Sequence, residues 1–194
     1  MRRLLLVITL LALSSYSGPK SVLVIGDSLS CYKPNGWVTL IAQHYDAPIV
    51  NLSQVGKNTD WMLNALRNEL RLNHYDYSTV FIYGGINDIF GGRKVTDGVD
   101  NIKQMVDLCN HYYIQPVVIL GYDPNKININ TNRDGEELNR KRYIKYQHIL
   151  QNLHLVAKII PVDTTITRDY SSDGIHVNGA AQRKFADWIV NHME

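Results

Sequence analysis

A hydroxyl, an imidazole and a carboxylate that meet in space make a nucleophile, its general base and the group that orients the base. The sequence holds one set spaced to do this. Near the C-terminus, Asp173-Gly174-Ile175-His176 places an acid three residues ahead of an imidazole, within reach of Nδ1–H and leaving Nε2 free as a base. Of seven histidines, only His176 has an acid at that spacing. Near the N-terminus, Gly26-Asp27-Ser28-Leu29 follows the apolar run Val22–Ile25. Gly26 is expected to turn the chain sharply, so that Ser28 stands at a sheet edge beside helix-start N–H groups that favour a developing oxyanion. A serine in that place is more often a helix cap than a nucleophile, so the tetrapeptide needs partners.

Two further segments offer them. Gly56, in Gln54-Val55-Gly56-Lys57-Asn58-Thr59, can present a backbone N–H with no side chain in the way, although an ordinary turn glycine is the simpler reading. Asn87, in Gly84-Gly85-Ile86-Asn87-Asp88, supplies a neutral amide donor suited to an oxyanion; read alone it is a turn residue.

The elements that must carry these residues are short and regular. Val22–Ile25, Ile49–Asn51, Val80–Tyr83, Val117–Leu120 and Ile159–Val162 read as strands buried on both faces of a parallel sheet. Between them run helical stripes: Trp37, Leu40, Ile41 and Tyr45; Met62, Leu63, Leu66 and Leu70; Val99, Ile102, Val106 and Cys109, with Thr96 or Asp97 as cap; Glu136 to Leu153; and Ala181, Phe185, Trp188 and Ile189. Five β-then-α units imply right-handed crossovers and a three-layer α/β/α sandwich around a five-stranded parallel sheet, flavodoxin-like in the order 2-1-3-4-5. Ligands of such sheets bind beyond the carboxyl ends of the strands, where Ser28, Gly56, Asn87 and His176 all fall. No repeat or linker divides the chain.

With 194 residues, 45 % hydrophobic and 20 % charged, the composition is that of one globular domain. The start stands apart: Arg2 and Arg3, an apolar run from Leu4 to Leu13, then Ser15-Tyr16-Ser17 read as a secretory signal over residues 1–17, with a mature domain over 18–194 and no stable membrane span once the signal is removed. Losing Arg2 and Arg3 leaves 18 basic and 18 acidic residues, so neither nucleic acid nor an anionic membrane is indicated as partner. Arg140, Lys141 and Arg142 read as a solvated helix face, Cys109 as a buried thiol, and Asn51-Leu52-Ser53 as an incidental glycosylation match.

The four segments, in this order, resemble the SGNH or GDSL family of lipases and esterases: Ser28 in VLVIGDSLS, Gly56 in SQVGKNT, Asn87 in GGIND and His176 in SDGIHVNGAA. The C-terminal run is similar to the bacterial thioesterase and lysophospholipase branch of that family. The resemblance implies a serine ester hydrolase with no metal or organic cofactor, exported if the N-terminal signal is read as above, and the sequence holds no HExxH, CxxC or P-loop. Catalysis would fall to Ser28, His176 and Asp173, and the oxyanion hole to the Ser28 N–H, the Gly56 N–H and the Asn87 side chain.

The substrate is less legible. The polar segment from Gly121 to Asp134 and the turn Phe90-Gly91-Gly92-Arg93, expected to be mobile, are the candidate rims; Phe90, Ile127 and Ile129 are the scattered apolar candidates there. Tyr32, Tyr83 and Tyr122 lie near strand ends where they could stack on sugars, although ordinary core or surface tyrosines are the simpler reading. A scarcity of apolar loop residues points to a small acyl group on a small-molecule or carbohydrate alcohol. The alternatives are a lysophospholipase or acyl thioesterase, an acyltransferase on the same triad, and a non-catalytic binding module, disfavoured because binding needs no such set of residues.

Overall fold

In a computed structural model, the described residues are 20–31, 34–45, 47–126, 136–167 and 175–194. Five parallel strands form one sheet: β1 (Ser21–Gly26), β2 (Ile49–Asn51), β3 (Tyr77–Tyr83), β4 (Gln115–Ile119) and β5 (Lys158–Ile160), in the order β2-β1-β3-β4-β5. This is the expected order. Val22 to Ile25 are buried on both faces because helices cover each side, which is why the strand reads as unbroken apolar sequence. Val24 sits between Asn51 and Phe81, so β1, which leads into Ser28, is an interior strand.

Six helices are described: α1 (Trp37–Ala42), α2 (Thr59–Asn73), α3 (Ile86–Phe90), α4 (Val95–His111), α5 (Glu136–Asn152) and α6 (Gly179–Met193). On one side α1 packs against α6, and on the other α4 packs between α2 and α5. Trp37 joins the first pair to the sheet, meeting Phe81, Tyr83 and Phe185 edge-on at ring-centroid distances of 6.2, 6.2 and 6.0 Å. Its Nε1–H donates to the Leu29 carbonyl at 3.0 Å, so the largest core side chain also holds the turn that carries Ser28. Asn58 and Asn178 cap α2 and α6, accepting from the N–H groups of Trp61 and Ala181.

The differences from expectation have local causes. β3 starts at Tyr77 rather than Val80, because Ser21 and Val22 of β1 extend the ladder down to Tyr77 and Thr79. β5 stops at Ile160 instead of Val162, since Pro161 has no N–H to give. The pairing resumes once, where Tyr122 bridges Asp163 and the Asp163 N–H reaches the Gly121 carbonyl at 2.8 Å. α1 ends before Tyr45, and α4 begins at Val95, with neither Thr96 nor Asp97 as cap; Asp97 lies in the first turn, where its charge suits the helix dipole. α3, five residues long, is too short to show a period in sequence.

Candidate active site

β1 ends at Gly26, and Ser28–Ser30 form one 3-10 turn. Gly26 is needed for close approach rather than for a special turn: a Cβ there would stand 2.5 Å from the Tyr83 carbonyl oxygen and 2.6 Å from Ser30 Oγ. The turn is capped by Asp27, whose Oδ1 accepts from the Leu29 N–H at 3.0 Å. Ser28, between a buried Asp27 and a buried Leu29, is itself half-buried.

His176 arrives from the other end of the chain, just ahead of α6. Its Nε2 stands 2.8 Å from Ser28 Oγ, and its ring is exposed to solvent. The two side chains are therefore brought together across 148 residues. Residues 168–174, and with them Asp173, lie outside the described residues, as do residues 1–19, Tyr32, Ile127 and Ile129.

Gly56 lies in the loop between β2 and α2 with φ of +72°, a backbone conformation that favours glycine, and nothing lies within 4 Å of where a Cβ would stand. The Gln54 N–H donates to the Gly26 carbonyl at 3.2 Å, which brings this loop beside the turn carrying Ser28. Asn87 occupies the first turn of α3, entered through Gly85 at φ +105°. One Asn87 Nδ2 proton goes to the Lys57 carbonyl at 2.9 Å, and an amide nitrogen has two to give. Ser28, Gly56 and Asn87 thus converge at the carboxyl ends of β1, β2 and β3.

Sequence reading missed two carboxylates beneath this rim. Asp88 is buried and accepts from the Thr59 N–H at 2.9 Å and the Thr59 hydroxyl at 2.8 Å. Arg93 Nε lies 3.3 Å from it, and the same guanidinium meets Asp60 at 2.5 Å. Asn101 closes the cluster by donating to Thr59 Oγ1 and Asp60 Oδ1. The start of α2, just after the Gly56 loop, is so fastened to α3, which carries Asn87.

Asp27 is fully buried, and its Oδ2 has no hydrogen-bond partner among the described residues. A Cβ at Gly84 would lie 3.6 Å from that oxygen and 2.5 Å from Met62 Sδ. Burial pushes the carboxyl up to about 7; the Leu29 N–H and the charge of His176 pull the other way, while Asp88 adds to the rise.

Two surface expectations are corrected and a third is settled. Arg142 is not a solvated side chain: it turns inward and donates to the carbonyls of Ile89 (3.0 Å) and Arg93. Those bonds, with Arg93 N–H to Asp88 oxygen at 2.9 Å, tie down the turn expected to be mobile. Tyr83 and Tyr122 are core residues, 1 % and 4 % exposed, and offer no sugar-stacking face. Cys109 is the buried thiol expected. Among the described residues no three His, Cys, Asp or Glu side chains gather as a metal site needs, and no helix is long and apolar enough to cross a membrane.

Residues 24–184 match the model of the GDSL-like Lipase/Acylhydrolase family. No curated protein sequence matches the chain. Among solved structures it is similar to TesA (21 % identity, TM-score 0.67, 90 % of this chain and 98 % of that one). It is also similar to the psychrotrophic esterase EstA from Pseudoalteromonas sp., in a form inhibited by monoethylphosphonate (19 %, 0.61, 90 % and 97 %). A third is Axe2, an acetylxylan esterase from Geobacillus stearothermophilus, in a catalytic-mutant form (14 %, 0.69, 91 % and 94 %). At these identities the structures speak for the fold.

Proposed function

The chain belongs to the GDSL-like Lipase/Acylhydrolase family and is an esterase-type enzyme; we propose that it cleaves carboxylic esters through an acyl-enzyme on Ser28. His176 Nε2 takes the Ser28 proton as Oγ attacks the acyl carbon, and Asp173 orients the imidazole. The carbonyl π electrons become an oxyanion held by the Ser28 N–H, the Gly56 N–H and the second Asn87 Nδ2 proton. The proton passes from His176 to the leaving alcohol, and water attacks the acyl-enzyme with His176 as base again. The 2.8 Å contact between His176 Nε2 and Ser28 Oγ carries this reading. A phosphonate ester offers a direct test: it should modify one residue per chain, found by peptide mass analysis at Ser28, and Ser28→Ala should take no label. Labelling elsewhere with activity kept in Ser28→Ala overturns the assignment.

The substrate proposed is a short acyl ester, acetyl foremost, of a polar or carbohydrate alcohol. Support comes from the few apolar residues in the rim segments and from the likeness to an acetylxylan esterase. Acetyl esters should be turned over faster than esters of long-chain acids; the opposite order favours the lysophospholipase or thioesterase alternative. Acyl transfer outrunning hydrolysis when an alcohol acceptor is added would mark a transferase. The protein is further proposed to be exported, from the charged and apolar start of the sequence. N-terminal sequencing of the protein recovered outside the cytoplasm should begin at Gly18, and an unprocessed Met1 there counts against it.

A further inference from the structure

α5 supplies no group to the chemistry just proposed, yet three of its side chains reach the loops at the carboxyl ends of the strands. Gln147 holds the segment after β4, donating to the Leu120 and Tyr122 carbonyls at 2.7 and 2.9 Å. The other two hold α3, one at each end. The Tyr146 hydroxyl donates at 2.9 Å to the carbonyl of Gly84, the first residue past β3 and two before α3 begins. The Arg142 guanidinium donates to the carbonyls of Ile89, next to last in α3, and of Arg93 beyond it. Residues 142 and 146 are one helical turn apart and so share a face of α5.

Tyr146 lies in a slot that two glycines keep open. A Cβ at Gly85 would stand 2.4 Å from its Cζ and its hydroxyl oxygen, and a Cβ at Gly98 of α4 would stand 3.2 Å from its Cε2. A glycine inside a helix is otherwise unfavourable, and here it admits the ring. Phenylalanine would fill the slot as well; the hydroxyl adds the bond to Gly84. A helix of five residues has too few internal bonds to fix its own direction, so α3 is aimed by what grips it. What it carries is Asn87, and an oxyanion donor is effective only when held about 3 Å from where the charge develops.

We propose that Arg142 and Tyr146 are positioning residues for the ester hydrolysis: they hold α3 at its exit and its entry and thereby aim the Asn87 amide at the oxyanion. This rests on the reading of Asn87 as an oxyanion donor. Asp88 and Thr59 tie α3 to α2, and the α5 pair supplies a second tether from a different helix. Neither residue meets the ester, and no proton passes through either.

The test is a pair of double-mutant cycles on kcat for an acetyl ester. Tyr146→Phe keeps the ring and removes the bond to Gly84. Arg142→Met keeps an unbranched stem and removes the donors to Ile89 and Arg93. Each should lower kcat about tenfold with KM little changed, less than the loss of about 10²–10³ in Asn87→Ala, because a displaced donor costs no more than a deleted one. In an Asn87→Ala background each should lower kcat by less than about twofold, since no amide remains to be aimed. A purely structural role lowers kcat by the same factor in both backgrounds. That result, or single variants with wild-type kcat, overturns the proposal. Should Tyr146→Phe not fold, Arg142→Met in the same two backgrounds decides alone. Wild-type kcat in Asn87→Ala by itself would remove the oxyanion reading and this proposal with it. A fall in Asn87→Ala with equal losses in both backgrounds condemns this inference only.

Discussion

The ends of β1 and β3 are built on one plan and treated in opposite ways. Each carries a site residue beside a buried aspartate: Ser28 with Asp27, and Asn87 with Asp88. At β3 the carboxylate is satisfied by Thr59 twice and faces Arg93, and the result is a clamp between α2 and α3. At β1 it has, among the described residues, one backbone N–H and an oxygen set against Gly84 and Met62. A buried carboxylate with partners serves as architecture, whereas one without them stays sensitive to pH. The contrast is what makes Asp27 the more informative of the two.

The largest expected effect lies on the β1 side. Ser28→Ala should lower kcat for an acetyl ester by about 10⁴-fold or more at unchanged melting temperature, the scale of losing a nucleophile. On the β3 side, Asp88→Ala leaves both Thr59 donors without their acceptor and the Arg93 guanidinium with Asp60 alone. It should cost about 3–5 kcal/mol of unfolding free energy, read as a fall in denaturant midpoint. A change under about 1 kcal/mol would show that the clamp is not structural. Asn87→Ala should cost about 10²–10³ in kcat, with less change in KM, as for one lost oxyanion donor.

Much of this plan was legible in the sequence, for reasons specific to each residue. The four motif segments stood out because apolar strand runs end in glycine-bearing turns, and both the strand order and the Ser28–His176 contact follow from that pattern. The different fates of Asp27 and Asp88 were not legible. An aspartate next to a turn reads alike whether its carboxyl faces water, Thr59 or Met62, since those partners lie 29 to 35 residues away in sequence. Arg142 was misread for the same reason: its carbonyl partners belong to a turn about 50 residues earlier. Tyr83 and Tyr122 are core residues, the simpler of the two readings that their place at strand ends left open.

A smaller effect separates the two aspartates by pH. Asp27 binds its proton more tightly when folded (about 7) than its ordinary value of 3.8, so the folded state holds the extra proton between those limits. Its contribution to stability is therefore unfavourable above pH 7, fades as the pH falls, and is gone below about pH 4. Asp27→Asn should be more stable than wild type at pH 8, by up to about 4 kcal/mol, and close to it at pH 4. An equal difference at both pH values would remove the basis of the comparison. Smallest is Asn178→Ala, which loses the cap of α6 and should cost about 1 kcal/mol in a melt while activity is retained.

The docking of Trp37, the side chain that holds the Ser28 turn, has a consequence for how the enzyme comes to life. The Trp37 N–H is held by Gln182 Oε1 at 2.9 Å, across 145 residues, so the indole beneath the Ser28 turn is secured only when the last helix docks. A nascent chain still missing α6 has all five described strands and His176 but not the Gln182 side chain. During refolding, turnover should accordingly lag behind the return of helical circular dichroism, and a chain cut short before Asn178 should stay inert however long it is incubated. Competence is thus reserved for the finished polypeptide, because the first and last thirds of the chain must shake hands before either can act.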